Sequence, residues 1–178
     1  MWPNDTAINL LGMSLPIIQA PMAGASGLDM AIAVSRAGGL ASLPCAMLNI
    51  VTIVEQIKLF RESAPGPLNV NFFCHGVEIA DEARTALWHS RLARYYTELG
   101  VDEVPSTPAS SRQPFNQSIC ELIEAEKPEV VSFHFGLPEA ALLARVKAAD
   151  CKVISSATPL CGQGSLPILP PRGLMQGS

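Results

Sequence analysis

The stretch L-N-V-N-F-F-C-H, Leu68 to His75, decides the fold. It reads as a β-strand, entered through the turn Pro65-Gly66-Pro67. Strand side chains alternate between faces. Asn69 and Asn71 therefore share one face, while Val70, Phe72 and Cys74 share the other. An ordinary core strand does not carry two amides on one face, because buried amides need partners. In an α/β barrel, ligands sit at the carboxyl ends of the strands, so an amide-bearing face is a candidate ligand wall.

Outward from this strand the chain alternates. Pro16 to Met22 is expected as a first strand and Gly27 to Ala37 as a helix, stopped by Gly38-Gly39. Leu40 to Leu43 is a short second strand. Asn49 caps a helix running to about Ser63, with Ile53, Ile57 and Phe60 on its buried stripe. Beyond the third strand, Leu68 to Cys74, the rhythm breaks for a helical insertion, Asp81 to Leu99. A loop rich in Pro, Ser and Thr follows, from Val101 to Pro114. The rhythm then returns with a helix over Phe115 to Glu126 and a fourth strand over Glu129 to Phe135. Pro138 opens another helix in its favoured first position, and Lys152 to Ser156 is a fifth strand. This order predicts an α/β fold with a parallel sheet and right-handed crossovers. It is either an open doubly wound sheet or about five βα units of a partial TIM (β/α)8 barrel, which typically needs about 250 residues.

Composition sets the outer limits. The chain has 178 residues, 48% hydrophobic, with a formal net charge of -4. That is a globular profile with no basic run, so no nucleic-acid partner is expected. The most apolar region, Leu15 to Val34, is broken by Pro16, Gln19, Pro21 and Asp29, so no membrane span is expected. The N-terminus lacks the pattern of a signal peptide. Five cysteines, an odd number without C-x-x-C, fit reduced thiols in a cytoplasmic protein rather than a disulfide framework or metal site.

Four sets of residues are candidates for chemistry. His134 lies in V-V-S-F-H-F-G, where Ser132, His134 and Gly136 share one face and Val131, Phe133 and Phe135 the other. In a barrel the phenylalanines pack outward on helices and His134 points into the top of the lumen. An imidazole there acts as a base or hydrogen-bond donor near neutral pH; the alternative is a core histidine bonded to backbone. Asn69 and Asn71 either tie strands together or bond a cofactor ring, and Asn71, nearer the carboxyl end, is the better candidate. Pro21-Met22-Ala23-Gly24 ends the first strand with small residues that let backbone approach a flat ligand. His75 is placed at a strand end, and His89, on the inserted helix, at the surface or in packing. The Tyr95-Tyr96 pair is expected to pack the insertion on the barrel.

Taken in order, these pieces resemble the nitronate monooxygenase family, FMN-dependent (β/α)8 barrels. The matching motifs are P-I-I-Q-A-P-M-A-G at Pro16 to Gly24, S-R-A-G-G-L at Ser35 to Leu40 and N-V-N-F-F-C-H at Asn69 to His75. F-H-F-G at Phe133 to Gly136 and V-I-S-S-A-T at Val153 to Thr158 complete the set. The resemblance implies that Asn71 contacts FMN, that backbone around Met22 and Ala23 walls the isoalloxazine ring, and that His134 is the active-site histidine. It implies oxidation of alkyl nitronates or nitroalkanes with oxygen to a carbonyl compound and nitrite, and it leaves a homo-oligomer open. N-V-N-F-F-C-H favours this family over the FMN-dependent enoyl reductases, which share the first motif.

The resemblance covers roughly residues 10 to 158 and stops at Thr158, so residues 1–158 are expected to be the N-terminal part of an FMN-binding barrel. Family members continue through three more strands, with the glycine-rich loops that hold the FMN phosphate. Residues 159–178 instead hold four Pro, four Gly and a single charged side chain, Arg172. That tail is read either as a flexible terminus or as unrelated sequence on a truncated chain. The alternatives to a nitronate monooxygenase are an enoyl reductase-like barrel or an inactive half-barrel remnant.

Overall fold

The computed structural model describes residues 4–76, 81–101 and 113–156. The tail from residue 159 and the boundary at Thr158 lie outside them. The sheet has four parallel strands: β1 (Ala41–Pro44), β2 (Leu68–Phe73), β3 (Val130–His134) and β4 (Lys152–Ser155). Their order is β1-β2-β3-β4, so each strand lies beside its sequence neighbour. A doubly wound sheet reverses its order at a switch point. This one does not.

The expected strand over Pro16–Met22 is reduced to a parallel bridge between Ile18 and Leu40. Leu40 N–H donates to Ile17 O at 2.9 Å and Gln19 N–H donates to Leu40 O at 3.0 Å. Pro16 and Pro21 bracket this pairing, and neither has an N–H to extend it. Five strand units therefore become four strands and a bridge.

Six helices are described: α1 (Thr6–Leu11), α2 (Leu28–Arg36), α3 (Ile50–Ser63), α4 (Glu82–Glu98), α5 (Gln117–Glu126) and α6 (Ala140–Ala148). Side-chain caps set three of the helix starts. Asn49 Oδ1 accepts from Thr52 N–H at 2.9 Å, Asp81 Oδ1 from Arg84 N–H at 3.0 Å, and Asn116 Oδ1 from Ile119 N–H at 3.1 Å. Pro138 does not open α6. It precedes Glu139, the N-cap, because the first helical residue is Ala140. The turn Pro65-Gly66-Pro67 requires its glycine: a Cβ at Gly66 would lie 2.6 Å from Ser35 Oγ, which accepts from Gly66 N–H at 3.0 Å.

Alternation divides the sheet into two chemically distinct faces. Outward, Leu43, Val70, Phe72, Val131 and Phe133 meet Ile53, Ile57 and Phe60 of α3, Ile123 of α5 and Val146 of α6 in one buried core. Each fully buried apolar side chain of this size stabilises by roughly 1.5–3 kcal/mol. Inward, the residues form layers. Leu40 and Val130 join Leu11 and Met13 in a small apolar cluster, so α1, which the sequence reading did not anticipate, contributes to the floor. Ser42 and Asn69 lie level with Val130, and Asn71 and Ser132 lie two residues further along their strands; all four are buried and polar. His134 ends the series opposite Phe73.

The insertion helix α4 stands apart. None of its residues is buried, and Tyr95, expected to pack on the barrel, is 45% exposed. Its ring instead carries the Arg94 guanidinium at 4.4 Å.

Candidate active site

The strand ends bring the candidate residues to one rim. His134, the last residue of β3, is half-buried, and its Nδ1 lies 3.0 Å from Ser156 Oγ just beyond β4. With Nδ1 engaged, Nε2 is the ring nitrogen left for chemistry. A cavity of about 200 Å³ is lined by His134 together with Gln19, Asn69, Ser132 and Ser156. Beside it, a second space of about 440 Å³ is lined by Ala23, Met47, Phe73, His75 and Phe135. The two adjoin through ring contacts, because Phe73 packs edge-on to both His134, at 6.4 Å, and Phe135, at 5.1 Å.

Phe135 departs from expectation. Phe133 packs outward against Phe115 with ring centroids 5.1 Å apart, as strand alternation requires. Phe135 instead has φ of 64° and is 68% exposed. The strand has already ended, and Gly136 follows at φ of 109°. A bulky residue in the left-handed region is strained, and such residues cluster at functional sites.

The two asparagines split their roles. Asn71 Nδ2 donates to Ser132 Oγ at 3.0 Å and to Ser132 O at 3.3 Å, tying β2 to β3. Asn69 Nδ2 donates to Ser42 Oγ at 2.9 Å, tying β2 to β1. Strand-tying therefore occupies both NH₂ groups. It is Asn69, not Asn71, that appears among the cavity-lining side chains.

At the end of the bridging segment, the Ser26 hydroxyl accepts from Met22 N–H at 2.8 Å and donates to Met22 O at 3.0 Å. These bonds lock the Met22-Ala23-Gly24 turn without using the Ala23 N–H. Ala23 lies in the wall of the larger space.

Burial disfavours the thiolate form of the described cysteines Cys45 and Cys74. Burial pushes Cys45 up to about 12, against a smaller opposing effect of the Asn71 backbone, and it pushes Cys74 up to about 11. Protonated thiols at neutral pH neither attack nor bind metal readily. Among the described residues no cluster of His, Cys, Asp and Glu could hold a metal ion.

Sequence reasoning missed Gln19, Ser42, Phe73 and Ser156. Gln19 carried a readable signal, an amide inside the apolar run I-I-Q-A. Ser156 carried none, because its value comes from a partner on another strand.

A family model described as nitronate monooxygenase matches residues 4–161. The chain is 38% identical to the nitronate monooxygenase of Paraburkholderia phytofirmans, over 85% of this chain and 42% of that protein. It is 35% identical to that of Pseudomonas aeruginosa, over 86% of this chain and 44% of that protein. Among solved structures, a nitroalkane oxidase from Streptomyces ansochromogenes superposes with a TM-score of 0.70 at 29% identity, covering 85% of this chain and 42% of that one. FabK from Thermotoga maritima shares the fold, with a TM-score of 0.56 at 21% identity over 84% of this chain and 36% of that one. The chain thus spans less than half the length of these proteins. A family model over most of the chain, together with relatives more than 30% identical, shows that the chain belongs to the nitronate monooxygenase family.

Proposed function

We propose that this chain forms the substrate-facing part of a flavin-dependent nitronate monooxygenase, built on the N-terminal portion of a (β/α)8 barrel that runs to about residue 158. The observation that carries the reading is His134 at the carboxyl end of β3, sharing a cavity with the buried amides of the inner strand face. The consecutive strand order and the apolar core on the outer face support the barrel wall.

The residues fit a flat, nitrogen-rich ring. Among the described residues the Ala23 backbone N–H makes no hydrogen bond and two buried amide atoms lack partners, while Phe73 and Phe135 offer aromatic surface. Met22 and Ala23 would form the wall of FMN, and Asn71, whose NH₂ is held by Ser132, would meet it only through its amide oxygen. When bound, the flavin would take electrons from the substrate and pass them to oxygen. His134 would take the α-carbon proton of a neutral nitroalkane at Nε2. With a nitronate already ionised, the same nitrogen would orient the anion. The products are a carbonyl compound and nitrite. The four described cysteines are free thiols, which suits the cytoplasm. No described helix is long and apolar enough to cross a membrane.

The test is to incubate the purified chain with FMN, remove free flavin, and record the visible spectrum and oxygen uptake with propyl-2-nitronate. Retained flavin absorbance with nitrite release is expected. A colourless protein without uptake would sink the reading, and oxidation of NAD(P)H with an enoyl thioester would replace it with an enoyl reductase.

A further inference from the structure

Two buried side-chain atoms among the described residues have no hydrogen-bond partner, Gln19 Nε2 and Asn69 Oδ1. Gln19 is 8% exposed and Asn69 1% exposed, and both line the cavity that also contains His134. Unpaired buried polar atoms are few in native proteins, and two in one cavity wall call for a ligand or a water.

Ser42 engages one end of each amide, Gln19 through a backbone N–H that can only donate and Asn69 through its hydroxyl. Its backbone N–H donates to Gln19 Oε1 at 3.2 Å, so the free end of Gln19 is its NH₂, a donor. Its hydroxyl accepts from Asn69 Nδ2 at 2.9 Å, so the free end of Asn69 is its carbonyl oxygen, an acceptor. One serine thus holds a donor and an acceptor ready in the same wall.

The missing partner must present the complement, a carbonyl beside an N–H. A nitronate cannot, because the anion has oxygens for Gln19 but no proton for Asn69, whose carbonyl would repel it. A cyclic imide does, because its N–H is flanked by carbonyls. Resting on the flavin reading above, we propose that Gln19 and Asn69 recognise the pyrimidine edge of the flavin, Asn69 Oδ1 accepting from N3–H and Gln19 Nε2 donating to the adjacent carbonyl. The polar layer then senses the ring itself, independently of the phosphate. The site rejects flat rings that lack the imide proton.

The test titrates the wild-type chain with riboflavin and with 3-methylriboflavin, read by flavin fluorescence. Methylation removes only the imide proton. It is expected to weaken binding roughly tenfold or more, since it leaves a buried acceptor unpaired. In Asn69→Leu, with its fold checked by circular dichroism, riboflavin should weaken to the level of the methylated flavin, which keeps its own affinity. The wild-type comparison stands even if that variant does not fold. Equal binding of the two flavins by the wild type overturns the pairing and leaves the flavin reading intact. It is the result expected if a water, or an amide turned the other way, satisfies the wall. Failure of both flavins to bind overturns the pairing and the flavin reading together.

Discussion

The two faces of β2 are one strand with opposite tasks. Val70 and Phe72 point into a helix-covered core, and Asn69 and Asn71 point into a polar layer. All four are buried, so burial alone does not distinguish them. What differs is how each face is satisfied. The outer face needs only apolar surface. The inner face needs named partners, and among the described residues Asn69 Oδ1 on β2 and Gln19 Nε2 beside it lack one. Where a fold leaves polar atoms unpaired in one place, that place is where chemistry from outside is expected.

The comparison breaks most sharply on the outer face. Phe133→Ala removes a ring packed on Phe115 and Phe72's neighbourhood, and should cost about 3–5 kcal/mol. Urea unfolding checks it, and a cost below about 1 kcal/mol would mean this core is not the stabilising one. On the inner face the effect should move from stability to turnover. His134→Asn should lower oxidation of a neutral nitroalkane by about 10²–10⁴-fold while sparing a preformed nitronate much more. Oxygen uptake with the two substrates decides, and equal losses would remove the proton-transfer role.

Smaller effects sharpen the contrast. Ser156→Ala should leave unfolding nearly unchanged but release Nδ1 of His134. The ring's tautomer balance, read by nitrogen NMR, should shift, and an unchanged spectrum would show that Ser156 does not position the imidazole. Alkaline pH tests the buried thiols. Cys45 is raised to about 12 from 9.0, so its contribution is complete below about pH 9 and fades as pH rises toward 12. Unfolding midpoints should therefore fall above pH 9, and Cys45→Ala should flatten that slope. The smallest effect is outside the sheet. Arg145 grips Glu124 through two bonds of 2.7 and 2.6 Å and holds its carboxyl below the ordinary 4.5. This contribution is present above that pH and is lost as acid protonates Glu124. The pair is exposed, so Glu124→Gln should barely shift the midpoint at neutral pH.

Much of this arrangement was legible in the residues. The cap at Asn49 and the apolar stripe on α3 are local signals, and α3, α4 and α5 formed close to where expected. The segment over Pro16–Met22 looked equally like a strand, but two prolines left it a single bridge. Phe135 looked like an outward core residue by alternation, yet alternation ends where the strand ends, one residue earlier. Tyr95 looked like a packing residue, but α4 buries none of its side chains among the described residues.

By itself the sequence determined the alternation of elements, the two-faced character of β2 and the family motifs, including the rim histidine. These depend on neighbours in the chain, through side-chain period, capping and turn chemistry. Tertiary structure alone decided which amides remain unpaired and which group holds His134. Ser42 with Gln19, Asn71 with Ser132 and His134 with Ser156 are contacts between different strands or segments. Hydrogen bonds act over about 3 Å, and only the register of neighbouring strands sets which side chains come that close.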